Sequence, residues 1–369
     1  MAWVAKSISS SSHPQRRPLI IVSTIFLIIL SSTFFPFTFS PTATLSQFSI
    51  FRSLSSSQVP FRATELTIDD SNDSDIRKHS FVTKYYDTDK QPSTLILVAT
   101  KDESSWGRNR GESVRTFEDF LELIGRQRLP PRDVSLGVHT SSILDLERYT
   151  DILLHSDVPI ASIQIIYAPD TDFKVGAADS GKSAGIRNFL TKEVLKGQDH
   201  IVWIDPDIYL LPDGLFKRLR EVVSQKISNF DVANVAKNER EKLLPSGLVT
   251  VFCRQAGYTD MARNAWAGPS KAALKQWQQG MLHHDTAKPL ASWPIPMSQL
   301  IEQTSDDSLV RLDGVGETVL YIKADLIRKG LRWPHSGKAD SEGLCFSAME
   351  MGWGCYGLGG CWETRHTDL

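Results

Sequence analysis

The chain has 369 residues, of which 41% are hydrophobic and 23% are charged, and its formal net charge is -2. This length and composition exclude a largely disordered chain and suit one large α/β domain or two small ones. The near-neutral charge provides no basic field to hold a polyanion, so it disfavours nucleic-acid binding and favours a small molecule or a neutral polymer as partner.

The N-terminal segment predicts a membrane anchor. Arg16 and Arg17 precede an apolar run that starts at Leu19. About 20 apolar residues span a bilayer, and basic residues on the N-terminal side favour an N-in orientation. We therefore expect a cytoplasmic tail at 1–18 and a single-pass type II signal anchor at 19–39, with the body in the lumen. The alternative is a cleaved signal peptide, because small residues follow the densest apolar part.

The next segment, residues 40–92, predicts a stem between the membrane and a catalytic body at 93–369. It is rich in Ser, Thr, Gln, Asp and Pro and has no sustained periodicity. Such a composition is typical of linkers.

The four cysteines would lie in a compartment where disulfides can form. They are Cys253, Cys345, Cys355 and Cys361. Four cysteines allow three pairings, and the sequence alone does not choose among them.

From residue 93 onward, apolar runs of strand length alternate with amphipathic segments of helix length. Strands are predicted at 94–100, 134–139, 162–167, 200–205 and 232–236, and helices at 113–127, 142–155, 183–196 and 213–225. A loop-rich insert at 240–312 is followed by a strand at 318–323, a helix at 341–351 and a last strand at 355–362. This order predicts an α/β fold with a mainly parallel sheet wound with helices.

The clearest chemical motif is an apolar strand that ends in Asp-x-Asp, with carboxylates at Asp205 and Asp207. Ligands of a wound α/β sheet bind beyond the carboxyl ends of its strands, and residues i and i+2 of an extended segment project to the same side. Two carboxylates placed there can hold a hard divalent cation and leave positions open for phosphates. The pair is therefore a candidate metal and catalytic site. The alternative is an ordinary turn around Pro206.

A competing motif is Gly176–Ser183, which matches the phosphate-binding loop G-x-x-x-x-G-K-[ST] of nucleoside-triphosphatases. Such a loop must run directly from a buried strand, whereas Ala168–Asp172 separates this motif from the preceding apolar run. The alternative is a helix that begins near Lys182. That helix would bring Lys182 and Arg187 close to the acidic pair, where both cations can bind phosphates.

Four motifs occur in order along the body: Arg187–Leu190, Trp203–Asp207, Asp313–Gly316 followed by the strand Thr318–Lys323, and Ser341–Leu344. In order and spacing, over roughly residues 93–366, they resemble the fungal mannan-polymerase subunits of glycosyltransferase family 62. The resemblance implies a GT-A fold, GDP-mannose as donor, Mn²⁺, and an α-linked mannose product with retained configuration. It also implies a Golgi type II protein that works in a hetero-oligomeric complex with related subunits.

Two segments depart from the pattern of this family. Glu317 stands where a small residue is expected, and Asp260–Trp266 matches the family's acidic, Asn- and Trp-containing stretch only loosely. These departures bear on the acceptor and the linkage more than on the donor chemistry.

The resemblance also gives a role to His366, close to the end of the chain. GT-A enzymes often supply a further metal ligand from a late strand, and neutral imidazole binds Mn²⁺ well beside carboxylates. The expected metal ligands are therefore Asp205, Asp207 and His366. The alternative is an exposed histidine near a frayed terminus.

The remaining candidates are residues for the donor and for the acceptor. Asp102 follows the first strand, where a carboxylate can accept hydrogen bonds from a nucleobase or a ribose, or can simply cap the next turn. The donor-binding set is Asp102, Lys182, Arg187 and Asp313. The set for acceptor or sugar contacts is Asp260, Trp266 and Glu342.

Two functions follow as hypotheses. The first is α-mannosyl transfer from GDP-mannose to a mannose-containing glycan, in which a retaining mechanism needs no conventional general base. The second is a catalytically silent scaffold subunit of a mannan polymerase complex, which would keep the fold and the donor site.

Overall fold

The fold is known from a computed structural model that describes residues 75–108, 113–169, 179–235, 237–254, 265–268, 294–302, 304–305, 307–334 and 340–367. The predicted tail, the predicted anchor and most of the predicted stem lie outside these residues. Within them, no helix combines the length and the apolar composition needed to cross a bilayer.

The strands of the described residues are β1 (Arg77–Val82), β2 (Thr94–Thr100), β3 (Val134–Thr140), β4 (Ser162–Tyr167), β5 (His200–Ile204), β6 (Ile208–Leu210), β7 (Ser246–Val251), β8 (Cys253–Arg254), β9 (Trp266–Ala267), β10 (Ile295–Pro296), β11 (Leu309–Leu312), β12 (Val319–Lys323), β13 (Gly354–Leu358) and β14 (Thr364–His366). The α-helices are α1 (Phe117–Gly125), α2 (Ile143–His155), α3 (Asp179–Val194), α4 (Leu215–Ser224), α5 (Met297–Ile301), α6 (Ala324–Arg328) and α7 (Asp340–Glu350).

The main sheet has nine strands in the order β1-β4-β3-β2-β5-β12-β7-β13-β11. Six of them (β2, β3, β4, β5, β7 and β13) run in one direction, which confirms the predicted mainly parallel sheet. The chain passes from β2 outward through β3 to β4 and then returns to the other side of β2 as β5. This reversal leaves a crevice beyond the carboxyl ends of β2 and β5, where ligands of such sheets bind.

The strands at the centre of the sheet are buried on both faces. In β2, Ile96 and Val98 belong to one hydrophobic cluster, whereas Leu95 and Leu97 belong to the other. Helices α1, α2 and α4 pack on the first face, while α3 and α7 pack on the second. Burial on both faces explains the continuous apolar run of this strand in the sequence.

Two predictions inside the later part of the chain are wrong. The predicted strand at 232–236 forms only a bridge between Val232 and Leu309, because the Asn234 side chain bonds to both backbone groups of Arg311 at 2.8 Å in place of further strand pairing. Conversely, the predicted loop-rich insert contains β7, a fully buried strand that lies between β12 and β13.

The two ends of the described chain also differ from the sequence-based expectation. Strand β1 lies within the predicted stem, yet it pairs with β4 over its whole length, so the sheet begins before residue 93. The predicted last strand is two strands: β13 belongs to the main sheet, and β14 belongs to a separate three-stranded sheet of order β6-β14-β8. Between them Gly360 has a positive φ of 78°, a turn conformation that glycine adopts without strain.

A disulfide joins α7 to the main sheet. Cys345 and Cys355 form this bond, with their Cα atoms 6.0 Å apart. Cys253 is buried and Cys361 is exposed, and neither is in a disulfide. The structure thus forms one disulfide, not the two that a full pairing of the four cysteines would give.

Candidate functional site

Three side chains that can bind a metal come together just beyond the carboxyl end of β5. Asp205, Asp207 and His366 each offer one ligand atom, and these atoms lie within 4.8 Å of one another. His366 Nδ1 is 2.8 Å from Asp207 Oδ2, and His366 Nε2 is 3.8 Å from Asp205 Oδ2. The structure therefore assembles the three residues that the sequence analysis assigns to a metal.

The position of His366 depends on the small sheet β6-β14-β8. Strand β14 pairs with β6 so that His366 faces Ile208, directly after the acidic pair. The Thr367 N–H donates to the Asp207 C=O at 2.9 Å. Only 4% of the His366 side chain is exposed, so it is a buried, fixed residue rather than an exposed one near a frayed end.

The chemistry of this cluster fits a divalent cation. Two carboxylates and one imidazole are ligand types that suit Mn²⁺ and similar ions. His366 Nδ1 is buried and has no hydrogen-bond partner of acceptable geometry, despite its short distance to Asp207. A cation bound at this position would give His366 Nδ1 and the Asp207 carboxylate a common partner. Asp205, Asp207 and His366 are the residues that would hold the cation.

Asp205 and His366 bind protons more tightly than usual, because the pKa of each is raised. Burial raises the pKa of Asp205 to about 7, an effect that Arg187 opposes and Asp207 reinforces. Burial lowers the pKa of His366, but interactions with Asp207 and Cys253 outweigh burial and raise this pKa to about 10. Because metal ligands must be deprotonated, a divalent cation would compete with these protons.

Arg187 reaches the cluster from α3 and lies between two carboxylates. Its Nη1 donates a hydrogen bond to Glu317 Oε2, and its Nη2 is 3.6 Å from Asp205 Oδ1. The guanidinium carbon is 5.8 Å from the centroid of the Trp203 ring. The side chains of Arg187 and Glu317 are 11% and 16% exposed, so they form a largely buried ion pair. The sequence analysis placed Arg187 near the acidic pair but gave Glu317 no role.

A pocket of about 360 Å³ adjoins the cluster and shares Asp205 with it. It lies at the reversal of strand order, between the carboxyl ends of β2 and β5 and helix α3. Its lining residues are Ala99, Thr100, Lys101, Ser141, Lys182, Ser183, Ile186, Arg187, Trp203, Ile204 and Asp205. We call this the donor pocket. Its three cations, Lys101, Lys182 and Arg187, suit an anionic ligand, and its volume is in the range of small-molecule sites.

The competing phosphate-loop motif has the wrong conformation in the part that is described. Helix α3 begins at Asp179, so Asp179, Ser180 and Gly181 are already helical. A phosphate-binding loop needs non-helical backbone at these positions, so that successive N–H groups surround the phosphates. The structure therefore disfavours the nucleoside-triphosphatase alternative.

With the fold and the site established, comparisons with known proteins assign a family. The Anp1 family model matches residues 75–336, which is most of the chain. The chain belongs to the Anp1 family. It is also 28% identical over 221 residues to the mannan polymerase complex subunit mnn9 of Schizosaccharomyces pombe. That match covers 58% of this chain and 59% of the relative, so this chain spans about three fifths of the relative's length.

Two solved structures are similar in fold to this Anp1-family chain. Mannosyltransferase PcManGT from Pyrobaculum calidifontis, in complex with GDP-Man and Mn2+, gives a TM-score of 0.39 at 12% identity, covering 75% of this chain and 57% of that one. S. aureus TarS 1-349 gives a TM-score of 0.38 at 10% identity, covering 74% and 60%. The observed sheet order and the acidic pair after β5 give the chain a GT-A fold, the type found in glycosyltransferases.

Asp102 directly follows Lys101, which lines the donor pocket, but the Asp102 side chain forms its hydrogen bond within its own turn. Its Oδ1 accepts a hydrogen bond from the Ser104 N–H at 3.0 Å and caps the short 3-10 helix Glu103–Trp106. This is the capping role that the sequence analysis named as the alternative. Contact between Asp102 and a nucleotide stays a prediction.

Asp313 and Trp266 bond to each other through their backbones, and neither is among the described residues that line the donor pocket. The Trp266 C=O accepts from the N–H groups of Asp313 and Gly314, at 2.9 and 3.1 Å. Asp313 Oδ2 accepts a hydrogen bond from the Gly268 N–H at 2.7 Å. Because this unit is already bonded within the protein, its contact with a sugar stays a prediction. Asp260 and the side chain of Glu342 lie outside the described residues.

Proposed function

We propose that this Anp1-family chain is a metal-dependent, retaining α-mannosyltransferase that moves mannose from GDP-mannose to a mannose-containing glycan. The observation that carries the proposal is the cluster of Asp205, Asp207 and His366 at the open edge of a cationic pocket. A nucleoside diphosphate has two charged phosphates, and both the cationic wall and a cation held by carboxylates would offset their charge.

Each group has a distinct task in this proposal. Asp205, Asp207 and His366 hold the cation, which when bound supplies positive charge to the donor diphosphate and to the departing nucleotide. Lys182 and Arg187 line the pocket and offset the remaining phosphate charge through charge-assisted hydrogen bonds. Because these groups are fixed before the donor arrives, they lose little free energy to rearrangement during transfer.

The donor sugar, the partners and the location complete the proposal. Mannose is supported by the relative, which is named as a mannan polymerase complex subunit. We infer by the same route that this chain works in a hetero-oligomeric complex with related subunits. We also propose a single-pass type II protein of the Golgi membrane, anchored at 19–39 by the uncharged run after Arg17.

The first test identifies the donor by its effect on stability. A donor present at about 100 times its Kd should stabilise the folded state by about 2.7 kcal/mol. The thermal midpoint of the full-length chain would be measured with Mn²⁺ and, in turn, GDP-mannose, GDP-glucose, UDP-glucose and UDP-N-acetylglucosamine. We expect the largest rise with GDP-mannose, and only when Mn²⁺ is present. A larger rise with a uridine nucleotide would contradict the proposed donor.

A second test separates the transferase from a silent scaffold subunit, which the relative's name also permits. The full-length chain would be incubated with GDP-mannose, Mn²⁺ and a short α-linked mannose acceptor, and the anomeric configuration of the product would be read by NMR. We expect an α-linked product. Donor binding without transfer, either alone or with partner subunits, would favour the scaffold, whereas a β-linked product would contradict retention.

A further inference from the structure

Glu317 is a buried carboxylate beside the site, at a position where the family resemblance leads one to expect a small residue. Its Oε2 accepts a hydrogen bond from Arg187, while its Oε1 is buried without a hydrogen-bond partner. Burying a carboxylate costs free energy, which a close cation must offset. Arg187 is that cation, and the pair needs a functional explanation.

The backbone that carries Glu317 is held on both sides. The Thr250 hydroxyl lies 3.1 Å from the Gly316 C=O and 3.0 Å from the Val319 C=O, and can donate to either. The Thr318 C=O accepts from the Asp205 N–H at 2.9 Å. Glu317 therefore projects from a fixed segment that is bonded directly to the acidic pair.

The two carboxylates around Arg187 are not equivalent. Arg187 has a charge-assisted hydrogen bond to Glu317, whereas its 3.6 Å approach to Asp205 is an ion pair without a hydrogen bond. Arg187 and Asp205 both line the donor pocket, and Glu317 is not among the described residues that line it. Glu317 thus binds Arg187 from outside the pocket, while Asp205 Oδ2 still faces His366 at 3.8 Å.

We propose that Glu317 is a positioning residue: it holds the Arg187 guanidinium at the wall of the donor pocket and keeps Asp205 available to the divalent cation. The inference rests on the proposed function, because it requires a cation at Asp205. Without the Glu317 charge, Arg187 would pair with Asp205, the nearest remaining carboxylate, and would compete with the cation for it.

The test compares two variants of the full-length chain, Glu317→Gln and the double variant Arg187→Gln/Glu317→Gln. The affinity for Mn²⁺ alone would be measured by electron paramagnetic resonance titration. Glu317→Gln should weaken Mn²⁺ binding by about 10-fold, the usual lower range for losing a group that supports a metal ligand. The double variant should regain most of the lost Mn²⁺ affinity, because no guanidinium is left to pair with Asp205. It should still bind GDP-mannose poorly, since the phosphate contact of Arg187 is gone.

Glu193→Gln is the matched control. Glu193 lies on the same helix as Arg187 and forms an ion pair with Lys78, which this variant removes. It should leave Mn²⁺ affinity unchanged, and thermal midpoints would confirm that each variant folds. The double variant removes both charges of the buried Arg187–Glu317 pair, so it remains informative if Glu317→Gln alone is unstable.

The possible outcomes separate this inference from the proposed function. Normal Mn²⁺ binding by Glu317→Gln, or a double variant as weak as Glu317→Gln, would show that Glu317 does not act through Arg187. Absence of Mn²⁺ binding by the unchanged chain would overturn the proposed metal site and this inference together. If the unchanged chain binds Mn²⁺ but not GDP-mannose, and the double variant regains Mn²⁺ affinity, only the proposed donor would be contradicted.

Discussion

The ionisable groups at the two ends of strand β5 differ in charge: those at the amino end are neutral, whereas Asp205 at the carboxyl end lies among charged groups. At the amino end, His200 Nδ1 and the Tyr321 hydroxyl share a hydrogen bond. Burial lowers the pKa of His200 to about 4 and raises the pKa of Tyr321, so both are neutral at pH 7. At the carboxyl end, Asp205 lies among charged side chains, and its pKa is raised to about 7 mainly by burial.

The difference between these ends indicates which one suits a ligand. His200 Nδ1 and the Tyr321 hydroxyl satisfy each other within the protein, as a structural contact does. Near Asp205, Glu317 Oε1 is buried without a hydrogen-bond partner, and His366 Nδ1 lies 2.8 Å from Asp207 Oδ2 without hydrogen-bond geometry. Strongly shifted pKa values together with such atoms, at a pocket, are typical of a functional site.

The largest effect should come from removing the acidic pair. Asp205→Ala/Asp207→Ala should abolish Mn²⁺-dependent binding of GDP-mannose, because a hard cation needs carboxylate ligands. The thermal midpoint should fall little, since both residues lie beyond the end of β5 and outside the apolar clusters. Asp205→Asn should be nearly as damaging as Asp205→Ala. Calorimetric titration and thermal unfolding would measure both properties.

Asp213→Asn is a suitable control for the acidic pair. Asp213 is 52% exposed and forms a surface ion pair with Arg128. Such pairs contribute about 0–1 kcal/mol to stability, so this variant should retain Mn²⁺ dependence. If the variant lacking both Asp205 and Asp207 still bound GDP-mannose with unchanged Mn²⁺ dependence, the acidic pair would be an ordinary turn.

A smaller effect is expected for His366. His366→Ala should weaken Mn²⁺ binding by about 10- to 100-fold, the range seen when groups around a metal are disturbed. His366→Gln would be measured as a second variant, because glutamine leaves less empty volume than alanine at this buried position. Equal Mn²⁺ affinity in both variants and the unchanged chain, measured by titration, would remove His366 from the ligand set.

The parts of the fold that the sequence predicts well have continuous local signals. Strand β2 is buried on both faces, so its apolar run is uninterrupted, and the acidic pair lies next to such a strand. Strand β7 was missed because it begins with Ser246 and Gly247, which weaken the apolar signal. Gly247 is required there: an added Cβ would lie 2.8 Å from Leu326 Cδ1 and 2.9 Å from Trp353 Cβ.

The parts of the site that the sequence does not reveal depend on long-range pairing. His366 reaches the acidic pair only because β14 pairs with β6 in a separate small sheet, and no local periodicity indicates that sheet. In the sequence, Glu317 stands out only as a departure from a family pattern. Its contact with Arg187 joins residues 130 positions apart, so it becomes visible only after β5 and β12 pair.

A moderate effect is expected for Lys182, which lines the donor pocket from helix α3. Lys182→Ala should weaken GDP-mannose binding by about 1–3 kcal/mol, the cost of one charge-assisted hydrogen bond. Lys192→Ala is the control, because Lys192 lies on the same helix but lines a different pocket. Calorimetric titration would compare the two. ATP hydrolysis that Lys182→Ala abolished would contradict the glycosyltransferase proposal and support a phosphate-binding loop.

The smallest effect concerns pH and the amino end of β5. The pKa of His200 is lowered from 6.5 to about 4, so between these values the unfolded chain takes up a proton that the folded chain does not. Stability from this group is therefore complete above pH 6.5 and declines as the pH falls toward 4. Because His200 is partly exposed, we expect a loss of only about 1 kcal/mol between pH 7 and 5 after solvent screening. Urea unfolding at both pH values should show this loss in the unchanged chain and a smaller loss in His200→Gln. An identical loss in both chains would mean that His200 titrates normally and that the contrast between the two ends of β5 is weaker than the structure indicates.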